Sequence, residues 1–220
     1  EFRRVLFRSD YYTKDSVKNF DVYDGLICNT KRHQSVFSWH EGLIYIQWGT
    51  QTELFVPQQR PVERPLTFFH SAGWSPERKG TDLALAAFAR HIEETESSSK
   101  LIIHSQVEIK GLFSNLATTI DDLMSSGHLE IIYATVGAPG LYHLGDVYIY
   151  PSRLDGIGLT LAEALSCGLS LITTDEAPMS EFAVGAYDLT VPVNDRYPRT
   201  DGYYWEMVEV SADDLAKAIL

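Results

Sequence analysis

Short apolar-rich runs and amphipathic stretches alternate along this chain. The runs at 24–29, 43–47, 66–70, 101–104, 129–133, 147–150 and 169–173 are bounded by turn-forming residues and read as strands. Between them, apolar positions recur at helical spacing over 30–39, 81–94, 112–125 and 158–167, with a further short helix near Leu141. Leu83, Leu85, Phe88 and Ile92 form the apolar face of the helix after Gly80 and are core candidates. Strands and helices alternating at this spacing predict βαβ units, hence an α/β fold with a parallel sheet and flanking helices. Ligands of such a sheet bind at the carboxyl ends of its strands.

Turn chemistry divides the chain. The stretch PQQRPVERP (57–65) is proline-rich, cannot continue a helix or a ladder, and reads as a linker between domains. Residues 1–9, EFRRVLFRS, match the translation of a sequencing-library adapter and are set apart as an artefact. Residues 10–60 then read as the remnant of a first domain with its linker, and 61–220 as a second domain truncated at its end. Ser211 with Asp214 three residues later is an acidic capping box opening a last helix, which meets no stop signal before Leu220. The expectation is a fragment open at both ends.

Composition narrows the partners. With 220 residues, 45% of them hydrophobic, the chain can bury a sizeable core, and its formal net charge is −12. An acidic chain without a basic cluster argues against nucleic acid and against anionic membrane surfaces as partners. No apolar run is long enough to span a bilayer, and a cytoplasmic location is the expectation. Cys28 and Cys167 lack metal-like spacing, sit in apolar runs and read as reduced core thiols. His70 and His104 close strands at the ligand edge and read as structural, and Tyr203, Tyr204 and Trp205 read as local packing.

Two turns carry candidate chemistry. PSRLDGIGLTLAEALSCG (151–168) places a glycine turn between a strand and a helix, with Asp155 before it and Glu163 inside the helix. First-turn amides have no intrahelical acceptor and carry the positive end of the helix dipole, so such a turn holds phosphate. Gly156 and Gly158 admit close backbone approach, and the amides from Gly156 through Ile157 and Gly158 to Leu159 and Thr160 are the donors. Glu163 leans back over the same pocket and can accept hydrogen bonds from sugar hydroxyls. The second turn, GWSPERKG (73–80), also follows a strand and precedes a helix. Gly73 and Gly80 supply freedom there, and Arg78 and Lys79 supply cations for a diphosphate. It is not a P-loop, because Lys79 is followed by glycine and then threonine.

These segments resemble the retaining GT-B-fold glycosyltransferases of the glycogen-synthase and sucrose-synthase type, glycosyltransferase family 4. PSRLDGIGLTLAEALSCG is similar to their acidic–seven–acidic motif, and GWSPERKG with TDLALAAF to their donor-diphosphate loop. PMSEF (178–182) and WGTQTELFVP (48–57) extend the resemblance over about 21–220. It implies a Rossmann-like C-terminal donor domain with a remnant of the N-terminal acceptor domain. The substrate implied is a nucleotide-diphosphate sugar, whose sugar passes to a glycan, lipid or other acceptor with retention of configuration. By the same resemblance, Lys79 and Arg78 neutralise the leaving diphosphate, Asp155 contacts the transferred sugar and Glu163 binds the ribose. No cofactor and no metal are implied. The full-length protein has room for membrane association, and the isolated fragment is expected to be inactive. Two positions depart from the family: Asp155 is one methylene shorter than the usual Glu, and Trp74 stands where an Arg is common. Two alternatives stay open, a non-catalytic nucleotide- or glycan-binding domain and a dinucleotide oxidoreductase. For the latter, Gly156 and Gly158 begin the fingerprint but Leu161 replaces its third glycine.

Overall fold

The computed structural model describes residues 12–61 and 63–220, together with the backbone of Val5–Leu6. Three small parallel strands come first, β1 (Val5–Leu6), β2 (Leu26–Cys28) and β3 (Leu43–Tyr45), with helix α1 (Lys31–Val36) between the last two. Thr30 caps α1, its hydroxyl accepting from the His33 amide at 3.0 Å. The side chains of residues 1–11, on which the adapter reading of 1–9 rests, lie outside the described residues.

The main unit follows: β4 (Thr67–Gly73), α2 (Thr81–Thr95), β5 (Lys100–Ser105), α3 (Ile109–Leu112), α4 (Ala117–Ser125), β6 (Leu129–Tyr133), β7 (Val147–Tyr150), α5 (Leu159–Ser166), β8 (Ser170–Thr174) and β9 (Leu189–Val191). Its six strands pair in parallel in the order β6-β5-β4-β7-β8-β9, so the chain works outward from β4 to one edge and then from β7 to the other. A hairpin, β10 (Val193–Tyr197) with β11 (Met207–Val210), and helix α6 (Ala212–Ile219) close the chain. The capping box forms as read, with the Ser211 hydroxyl accepting from the Asp214 amide at 2.9 Å.

Alternation along the strands builds two cores. Phe68, Leu101, Ile103, Ile149 and Ile172 face α2, α4 and α6, while Phe69, Ile102, Tyr148, Tyr150 and Leu171 face α5. Strands buried on both faces read as continuous apolar runs, which is why the pattern found them. The expected helix over 112–125 is broken: α3 stops at Leu112 and α4 begins at Ala117, with a 3₁₀ turn between. The sequence pattern missed β9, β10 and β11, because β9 and β10 are edge strands whose residues are mostly exposed. Leu85 and Phe88 are fully buried as read, with Leu83 and Ile92 packed partly buried beside them. Cys28 and Cys167 are free and buried, and burial pushes the Cys28 thiol up to about 11.

His70 joins β4 to α2. Its Nδ1 donates to the Ile149 carbonyl at 2.8 Å, and its Nε2 accepts from the Thr81 hydroxyl at 2.8 Å. Burial, the largest cause, drives its pKa from 6.5 down to about 4. The unfolded chain therefore takes up the proton first, and stability complete above pH 6.5 is lost as pH falls toward 4. The loss from this residue amounts to about 3 kcal/mol. Urea unfolding at pH 7.5 and pH 4.5 is the check: His70→Gln is expected to lose less stability over that interval than the parent chain. An equal loss would remove His70 as the cause.

Candidate functional site

β4 and β7 lie side by side, and from them the chain runs to opposite edges of the sheet. At such a reversal a crevice opens beyond the carboxyl ends of the two strands. Both glycine-bearing turns fall there, 73–80 leading from β4 into α2 and 151–158 leading from β7 into α5. The turns are joined to each other. The Arg153 amide donates to the Arg78 carbonyl at 2.8 Å, and the Ser152 hydroxyl reaches the same oxygen at 3.3 Å. Gly80, with φ +71, packs its α-carbon directly against the Pro151 carbonyl. Arg153 turns away from the crevice and clamps Asp82 and Glu209, both at 2.8 Å or less. No spacing in the sequence marks that bridge, because Glu209 arrives from the hairpin.

The cations and carboxylates of the two turns converge. The Lys79 ammonium donates to the Ser71 carbonyl at 3.3 Å and stands 5.7 Å from the Tyr150 ring centroid. Burial, and then the neighbouring Arg78, lower its pKa, while Asp155 and Glu163 pull the other way. The Arg78 guanidinium donates to the Leu154 carbonyl and lies 3.7 Å from Asp155 Oδ2. Gly73 ends β4 with φ +56, and Trp74 beside it is 71% exposed.

Asp155 braces its own turn. Its Oδ1 accepts from the amides of Ile157 at 3.2 Å and Gly158 at 2.9 Å, and its Oδ2 accepts from the Tyr150 hydroxyl. This narrows the expected set of phosphate donors. The Ile157 and Gly158 amides serve Asp155, whereas those of Leu159 and Thr160, the first two of α5, have no acceptor among the described residues. Gly156 lies in the bend between Asp155 and Ile157, and Gly158, at φ +81, is the cap residue of α5.

Glu163 and Thr160 line a cavity of about 260 Å³, together with Ser71, His104 and the loop 136–142. The Tyr142 hydroxyl donates to Glu163 Oε2 at 2.6 Å. Burial raises the Glu163 pKa, and the Tyr142 bond and Lys79 partly offset it. His104 holds the cavity wall, its Nε2 donating to the Ala134 carbonyl at 2.9 Å and its Nδ1 accepting from Ser71 at 3.2 Å. Tyr142 and the 136–142 loop were not legible as site residues, since only the return of the chain after β6 brings them beside α5. Among the described residues no cluster of three or more His, Cys, Asp or Glu is arranged to hold a metal ion. No helix among them is long and apolar enough to cross a membrane.

Residues 64–200, which include both turns and every strand of the parallel sheet, match the family described as glycosyl transferases group 1. The chain belongs to this family. Membership sets aside the dinucleotide oxidoreductase alternative. A glycosyltransferase from Rickettsia africae ESF-5 superposes with a TM-score of 0.69 at 13% identity, covering 96% of this chain and 57% of its own. Sucrose-phosphate synthase from Thermosynechococcus elongatus gives 0.67 at 17% identity, covering 98% of this chain and 54% of its own. Anabaena HepE, in complex with UDP and glucose, gives 0.66 at 16% identity, covering 94% and 55%. The chain thus shares their fold and spans little more than half their length. No curated protein sequence matches it.

Proposed function

We propose that this chain carries the nucleotide-sugar site of a retaining glycosyltransferase of family 4, with the donor lying across the crevice between β4 and β7. The convergence of Lys79, Arg78, Asp155 and Glu163 from two separate turns is the observation that supports this reading. In it, the nucleoside occupies the cavity beside the 136–142 loop, and Glu163 accepts hydrogen bonds from its ribose hydroxyls. The diphosphate sits between the Lys79 ammonium and the Leu159 and Thr160 amides. When the bond from the anomeric carbon to the diphosphate oxygen breaks, the electron pair leaves with the oxygen. Fixed cations and helix amides stabilise that growing charge without reorganising. The acceptor oxygen bonds to the anomeric carbon on the face the diphosphate leaves, and its proton passes to the departing phosphate. This transfer belongs to the whole protein, whose acceptor is a glycan, lipid or other hydroxyl compound, and it requires no metal or cofactor. Gly73 and Trp74 border the sugar end of the crevice.

The bracing role of Asp155 supports one other reading, a group 1 domain that binds nucleotide without turnover. Sugar transfer by the full-length protein separates the two.

Calorimetric titration of UDP, GDP and ADP tests the donor site, with Glu163→Gln alongside. The variant keeps an acceptor for Tyr142 but loses the charge that strengthens a ribose hydrogen bond. Affinity is expected to fall by about 10- to 100-fold. Because burial raises the Glu163 pKa above its unfolded value, ionising this carboxylate costs more in the folded chain than in the unfolded one, and the cost appears as pH rises above 4.5. Glu163→Gln should therefore melt higher than the parent chain at pH 7, with the gain vanishing near pH 4. A folded chain that binds none of the three nucleotides would overturn the donor reading.

A further inference from the structure

The segment after β8 connects the candidate site to α1, the helix that packs on the small N-terminal sheet. Arg32 of α1 is only 7% exposed. Its Nη1 donates to the Ala177 carbonyl, its Nη2 lies 3.7 Å from Glu176 Oε1, and its guanidinium lies 3.8 Å from the Trp205 ring centroid. Arg196 of the hairpin binds the other oxygen of Glu176. Five residues further on, Glu181 returns the contact: Oε2 accepts from the Lys31 amide at 2.8 Å, and Oε1 from the Arg32 amide at 3.0 Å. Both ends of 176–181 are thereby tied to the first turn of α1.

The next residue touches the site. The Phe182 ring packs so tightly on Gly158 that a β-carbon there would come within 2.6 Å of its Cε2. Gly158 is the cap residue of α5 and immediately precedes the Leu159 and Thr160 amides assigned above to the diphosphate. A continuous packed path therefore runs from Arg32 through 176–182 to the glycine turn.

We propose that Arg32 is a positioning residue: by clamping the 176–182 segment it holds Phe182 against Gly158 and fixes the direction of the first α5 amides. Nucleotide affinity then depends on a residue outside the crevice, on a helix that packs beside a different sheet. Arginine suits this task because one planar group serves a carbonyl, a carboxylate and an aromatic face together, which an ammonium cannot do. The effect on affinity rests on the donor reading above, whereas the mechanical link does not.

Hydrogen exchange and UDP calorimetry on Arg32→Met, Arg32→Lys and Glu181→Gln test it, with thermal melting as the folding control. In Arg32→Met, exchange at the bonded amides 157, 158, 161 and 162 and over 176–182 is expected to rise while 101–103 in the sheet centre stays protected. UDP affinity should fall about fivefold or more, the scale of coupling between separate sites. Arg32→Lys should restore little, since it cannot make all three contacts. If Arg32→Met fails to fold, Glu181→Gln, which preserves side-chain volume, carries the same expectation in weaker form. Unchanged exchange at 157, 158, 161 and 162 in a folded variant would overturn the clamp. Equal UDP affinity in parent and variant would overturn its effect on binding, whereas absence of UDP binding to the parent would count against the donor reading instead.

Discussion

Lys79→Met is expected to lower UDP affinity by about 30- to 150-fold, equivalent to about 2–3 kcal/mol. Burial is the largest cause of the lowered pKa of its ammonium. The Ser71 carbonyl accepts a hydrogen bond from it at 3.3 Å, a long contact for a charged donor. A diphosphate oxygen would give it a charged acceptor in a weakly screened setting, where such bonds are strongest. Methionine keeps the apolar stem and removes only the charge, so the fold should tolerate it. Relief from burying an ammonium should hold the melting temperature at or above that of the parent. Titration with UDP reads the first effect and a thermal scan the second. Affinity within threefold of the parent would remove Lys79 from the diphosphate.

Gly80→Ala is expected to destabilise the chain by about 3 kcal/mol or more, through two separate costs. The residue lies at φ +71, which a side-chain-bearing residue adopts at a cost of about 1–2 kcal/mol. A β-carbon there would also overlap the Pro151 carbonyl oxygen, a backbone atom of the opposing turn. It cannot move aside without stretching the bond from the Arg153 amide to the Arg78 carbonyl at 2.8 Å. At this chain length each kcal/mol shifts the melting temperature by about 2–4 °C, so a fall of about 10 °C is expected. Gly127→Ala is the control: its φ is +79, yet no atom lies within 4 Å of the added carbon. It should show the conformational cost alone. Equal losses in the two variants would show that contact between the turns contributes nothing.

Within the candidate site, Lys79 and Glu163 were legible as candidates because each belongs to a local pattern, a cation after a glycine turn or a carboxylate within reach of a helix start. Asp155 was legible as a candidate but not as a brace. Its reach to Tyr150 and to the Ile157 and Gly158 amides depends on one particular turn geometry. Tyr142 carried no signal, since tyrosines in apolar surroundings ordinarily pack. Its bond to Glu163 exists only because the return from β6 passes beside α5. The Arg32 and Arg153 clamps were invisible for the same reason: Glu176, Ala177 and Glu209 lie far from them along the chain.

The sequence by itself determined five of the six strands of the parallel sheet, β4 to β8, the helices α2 and α5, and the two turns at its ligand edge. Period, glycine position and capping act over a few residues, and the energies that decide them are local. The tertiary structure decided which strands neighbour each other, placing β4 beside β7 and thereby bringing two turns more than seventy residues apart into one crevice. It also decided which amides remain for a ligand and which residues hold them in place. Those outcomes follow from long-range packing and from competition for each donor, neither of which a local pattern contains.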